Sequence, residues 1–189
     1  MERSGDEIVN TRTGQHMRFL PGDGSVLQIE TLNPPGPPEP EHVHPRQESS
    51  ARVLAGALHF SVQGDVRMVG AGEEITIPAN TPHYFWNAGP EDARALQEFR
   101  PALGTEQFFR TYFGLARDGK TDAHGVPSLL QLAVMVPVFA NVIRLTRPPW
   151  WLLRALAFLL RPIARARGCR ATYPEYLAPG ATETREALA

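Results

Sequence analysis

The chain has 189 residues, with 19 basic and 20 acidic side chains and a net charge of −1. That balance argues against a nucleic-acid binder, and the length suits one domain with a sizeable core plus an addition. The lone Cys169 excludes an internal disulfide, and neither a basic-then-apolar leader, a phosphate-cradling glycine loop nor a zinc-finger cysteine spacing occurs. A reducing cytoplasm is the expected compartment.

Residues 1–6 read as a loose end and Glu7 to Arg12 as a first strand. Gln15 to Leu20 and Ser25 to Leu32 alternate as strands around the turn Pro21-Gly22-Asp23-Gly24. Asn33 to Pro40, with five prolines, is an extended connection that delivers the chain to His42-Val43-His44. Val53 to Leu58 reads as strand, turn glycine and strand, and Ala57 to Gln63 forms a hairpin with Asp65 to Val69 around Gly64. Gly72 to Pro78 is a turn and a short apolar strand stopped by proline. A tight turn at Asn80-Thr81-Pro82 sends His83 to Asn87 back, and Ala93 to Arg100 is the last clear strand.

Alternate residues of a strand point to one face, so His42 and His44 project together and His83 joins them from another strand. Two readings of these imidazoles stand. They are the ligands of one divalent ion, or they are the polar lining of a pocket that has lost its metal. His59 alternates with Leu58 and Phe60 and should face away, His16 and His124 lack motif partners, and Tyr84 and Trp86 should lie on the outer face.

The two segments together resemble the paired motifs of the cupin superfamily. The first is Gly36, His42 and His44, closing on Gly56; the second is Gly72, Pro78, Asn80, His83 and Asn87, with Asn80 replacing the usual glycine. Asparagine is the next best residue for a left-handed turn. The resemblance implies an all-β jelly-roll barrel over residues 1–115, and His42, His44 and His83 as ligands of iron, manganese, nickel, zinc or copper. The family's glutamate, seven residues before the closing glycine, falls here on Ser49. Glu48 sits one place earlier, on the face opposite Val53, Ala51 and Ser49 unless the chain bulges. It is nonetheless the candidate for an acid–base role, or for completing the ligand set through such a bulge. Ser49 and Ala51 either open room for a bulkier substrate or leave a gap that Phe85 or the C-terminal segment fills.

After the barrel the character changes. Residues 1–122 hold 17 acids against 11 bases, whereas 123–174 hold seven arginines and no acid. A short helix around Thr105 to Phe113 and a connection over Gly114 to Lys120 lead to an apolar helix over Ser128 to Thr146, capped by Ser128 and kinked at Pro137. A basic amphipathic helix over Trp150 to Arg167 follows, entered through Pro148-Pro149 and ended by Gly168. Residues 116–176 are thus expected as a helical extension that packs on the barrel, on a homodimer partner or over the barrel mouth, with 177–189 a loose tail. Neither helix offers the ~20 uninterrupted apolar residues of a bilayer span.

Three functions follow. The first is a metal-dependent enzyme on a small organic molecule, of oxygenase, isomerase or cyclase type, for which an enolisable carbonyl or phenolic substrate is suited. The second is a non-catalytic module that binds or senses a small molecule in the same cavity. The third is contact of helix 150–167 with a membrane surface or a partner.

Overall fold

The computed structural model describes residues 6–177. The loose ends expected over 1–6 and 177–189 lie outside them, save Asp6 and Leu177. The chain opens with β1 (Asp6–Val9), β2 (His16–Phe19), β3 (Leu27–Asn33) and β4 (His42–Val43). It continues with β5 (Glu48–Ala55), β6 (Ala57–Val62), β7 (Asp65–Gly70), β8 (Glu74–Ile77), β9 (His83–Trp86) and β10 (Ala93–Arg100). Helices α1 (Thr105–Arg117) and α2 (Leu129–Val138), strand β11 (Arg144–Leu145), and helices α3 (Trp150–Ala166) and α4 (Pro174–Leu177) complete it.

The strands form two antiparallel sheets, one ordered β1-β2-β3-β10-β5-β8 and the other β11-β4-β9-β6-β7. Strict alternation decides which face is inside: Leu27, Ile29, Thr31 and Asn33 of β3 are buried, as are Ser49, Ala51 and Val53 of β5. One apolar cluster joins β5 and β10 to β6, β7 and β8 through Val53, Leu58, Phe60, Val69, Ile77 and Ala95. A second joins β1, β2 and β3 to Phe99 and to Phe113 of α1. The result is a jelly-roll barrel with a C-terminal helical extension.

Two backbone positions depend on their residue type. Gly56 turns the chain from β5 into β6 at φ +72°, and a Cβ there would stand 3.1 Å from Ala93 Cα. Asn80 adopts φ +60°, the left-handed conformation expected of the glycine it replaces, and its N–H donates to the His44 carbonyl.

The extension departs from the sequence expectation. Ser128 caps α2 by accepting from the Gln131 N–H, but the helix stops at Val138 instead of kinking and running to Thr146. Pro137 lies inside its last turn without an N–H to donate, and the ladder closes just beyond it with Phe139 N–H donating to Met135 O. The chain then turns through Phe139 and Val142 and lays Arg144–Leu145 antiparallel on β4, opposite Val43 and His42. An open sheet edge captures a segment whose apolar composition alone reads as helix. Helix α1 is also longer than expected, running past Gly114, over whose bare Cα the Tyr176 ring of α4 packs. Arg110, 4% exposed, ties α1 to the barrel by pairing with Asp6 of β1 and lying over the Phe19 ring, while Glu106 of its own helix holds the guanidinium in place.

Candidate metal centre

Strands β4 and β9 run side by side with His42 directly opposite His83, and His44 follows one alternation later. The rings are 5.1 Å (His42–His44), 4.5 Å (His42–His83) and 5.1 Å (His44–His83) apart between centroids. One nitrogen from each lies within 4.8 Å of the others, and all three side chains are buried.

Each ring is held from behind by a carbonyl. His42 Nδ1 donates to Pro40 O at 2.9 Å, His44 Nδ1 to Val142 O at 2.7 Å and His83 Nδ1 to Thr81 O at 2.8 Å. A carbonyl can only accept, so the proton sits on Nδ1 in every ring and the Nε2 lone pair is left free. Burial keeps the rings neutral. It pushes His42 down to about 3, with the neighbouring His44 and His83 adding to the effect, and His44 down to about 4. His83 is also lowered, chiefly by burial. Three neutral imidazoles with inward lone pairs are a donor set suited to a borderline divalent ion.

The carboxylates stand elsewhere. The β5–β10 ladder runs unbroken from Glu48 opposite Arg100 to Val53 opposite Ala95, and its irregularity falls only beyond Val53. Without a bulge at its start, β5 turns Ser49 inward and leaves Glu48 exposed on the outer face, apart from the imidazole cluster. Glu39 Oε1 approaches His42 at 3.9 Å on the Nδ1 side, behind the ring. Ala51 belongs to the barrel's apolar cluster, against which Phe85 packs while stacking on Phe60.

The remaining motif and off-motif residues have other partners. Asn87 organises a turn: its Nδ2 donates to the Asn33 and Glu91 carbonyls and its Oδ1 accepts from Gly89 N–H. His59 stacks on Trp86, which also stacks on Tyr84, and His16 pairs with Glu7.

Sequence reasoning missed what the extension contributes. Val142, 98 residues beyond His44, supplies the carbonyl that orients that ring, and Thr146 bonds to Glu41 through both its N–H and its hydroxyl. Phe99 meets the His44 ring edge-on, and Phe109, Phe108 and Phe139 continue an aromatic wall from there into the extension. A backbone carbonyl has no side-chain signature, so no motif could have announced it.

A jelly roll with three converging imidazoles defines a class, and residues 28–97 match the family described as Cupin domain. That segment is a cupin domain, and the jelly roll around it is the fold such a domain adopts. It is 31% identical over 121 residues to the rice (Oryza sativa subsp. japonica) putative germin-like protein 9-2, covering 57% of this chain and 55% of that one. It is 33% identical over 67 residues to polyketide synthase CurC of Streptomyces cyaneus, covering 35% and 44%. The chain thus spans about half the length of these curated relatives. A crystal structure of an RmlC-like cupin from Shewanella frigidimarina superposes with a TM-score of 0.47 at 19% identity, over 55% of this chain and 89% of that one.

Proposed function

We propose that the chain is a metal-dependent enzyme acting on a small organic molecule with an enolisable carbonyl or a phenolic oxygen, by oxygenase, isomerase or cyclase type chemistry. The observation that carries this is the spending of all three Nδ1 atoms on carbonyls, which leaves three Nε2 lone pairs for one ion. Iron, manganese, nickel, zinc and copper all accept such a set. When bound, the ion would supply Lewis-acid polarisation of a substrate oxygen.

The chain's own residues set the rest. Three neutral ligands leave the charge of a divalent ion undiminished, whereas a carboxylate at the Ser49 position would offset part of it. Such a site favours an anionic oxygen donor. The aromatic wall from Phe99 to Phe139 limits water around His44, which strengthens that attraction. The name of the Streptomyces cyaneus relative agrees with this substrate class, since polyketide chains are rich in enolisable carbonyls.

Elemental analysis of protein purified without added metal tests the reading. One equivalent of a transition metal is expected, lost in His42→Ala and His83→Ala with the fold retained. A protein that holds no metal and cannot be loaded overturns it. The exposure of Glu48 and the serine at position 49 favour a second reading, a binding or sensing module without catalysis. That reading predicts binding of enolisable carbonyls or phenols by the loaded protein with no turnover.

A further inference from the structure

We infer that helix α3 docks on an anionic lipid surface, with its exposed apolar arc among the acyl chains and its arginines among the headgroups. The inference is independent of the metal reading. It rests on a face that the fold leaves open. Helix α3 buries Ala157 and Ala164 and turns the other way Trp151, Phe158 and Leu159, which are 70%, 79% and 67% exposed, together with Leu152 and Ile163. At helical spacing these five side chains fall within one arc of roughly 140°. Arg154, Arg161 and Arg165 follow one another along one flank of that arc. Large apolar side chains bounded by a cationic stripe, with a tryptophan at one end, are the pattern of a helix lying in the headgroup boundary.

Charge selects the occupant. Residues 123–174 hold seven arginines and no acid, so a second copy meeting this one through the same segment sets cations against cations. Anionic headgroups meet the same stripe with opposite charge, so each arginine near the surface adds to the attraction. Residues 178–189 contain one large apolar residue, Leu188, against the five on the arc. No described helix is long and apolar enough to cross a bilayer, and α3 with its three arginines lies along the surface instead.

Flotation of the full-length protein with vesicles tests this, using phosphatidylcholine alone and phosphatidylcholine containing roughly a quarter phosphatidylglycerol. The protein is expected to float with the anionic vesicles and about tenfold less with the neutral ones. Phe158→Asp should lower anionic binding at least about tenfold, and Arg154→Glu about fivefold or more. Both side chains are exposed, so circular dichroism and thermal melting of the variants should match the parent. Failure to float with anionic vesicles overturns the inference, as does equal flotation on phosphatidylcholine or flotation unaffected by Phe158→Asp. A dimer in light scattering that Phe158→Asp converts to monomer, without vesicle binding by the parent, assigns the face to a second copy and equally overturns it.

Discussion

The Nδ1 of His44 lies 2.7 Å from the carbonyl oxygen of Val142, so a ring in the barrel takes its orientation from the helical extension. Val142 is fixed in turn by its N–H bond to Phe139 O at 2.9 Å, and Phe139 is buried edge-on against Phe108. Phe139→Leu keeps an apolar side chain there but loosens that turn. Outer partners of ligating histidines are typically worth 10–100-fold in metal affinity. Phe139→Leu is therefore expected to weaken zinc binding about tenfold in a chelator competition. Unchanged affinity would mean that His44 is oriented without the extension.

Positions 48 and 49 separate the two faces of β5. Ser49 is buried and Glu48 exposed, with no bulge between them. Ser49→Glu returns a carboxylate to the inner face, where it adds a charged ligand and should tighten divalent metal binding about tenfold or more. Glu48→Ala removes a carboxylate from the outer face and should change the affinity less than about twofold. Isothermal titration with one metal on both variants checks the pair. A large loss in Glu48→Ala would require β5 to rearrange on metal binding.

The barrel strands and the histidine cluster were legible in the sequence because both depend on local rules. Alternation puts Ser49, Ala51 and Val53 on one face, and because β5 has no bulge at its start Glu48 lies on the other, away from the ligand role a bulge would have allowed it. Asn80 announced its left-handed turn by residue type. The return of residues 144–145 to β4 was not legible, since two residues carry no period and their pairing depends on an edge about a hundred positions earlier. For the same reason the helix expected over 128–146 ends at Val138, and the segment beyond it is the part that reaches His44.

Acid should destabilise the metal-free protein. Burial lowers His42 to about 3 and His44 to about 4 from an ordinary value of 6.5, and lowers His83 as well. Below about pH 6.5 the unfolded chain takes up protons at these positions that the folded chain refuses, so stability falls with pH from there down to about pH 3. Above that window the contribution is complete and flat. The melting temperature of the metal-free protein is expected to drop by several degrees between about pH 7 and about pH 5. His42→Ala should flatten that slope. A slope unchanged in the variant would show that the acid sensitivity arises from other groups.

Gly114 and Tyr176 lock α1 to α4. An alanine in a helix interior ordinarily gains about 1 kcal/mol over glycine. A Cβ on Gly114, however, would stand 2.4 to 2.7 Å from three carbons of the Tyr176 ring, including the one nearest its backbone. That ring is confined further by Tyr176 Oη, which donates to Asp118 and accepts from Lys120 Nζ. Overpacking of this kind costs about 1–3 kcal/mol and should outweigh the propensity gain. Gly114→Ala is therefore expected to lower stability in urea by about 1–2 kcal/mol. In a Tyr176→Ala background the same substitution loses its clash and should become neutral or stabilising, a change of sign that a double-mutant cycle reads directly. If Gly114→Ala has the same effect in both backgrounds, the two residues are uncoupled and the close approach of α4 is not what holds a glycine in α1.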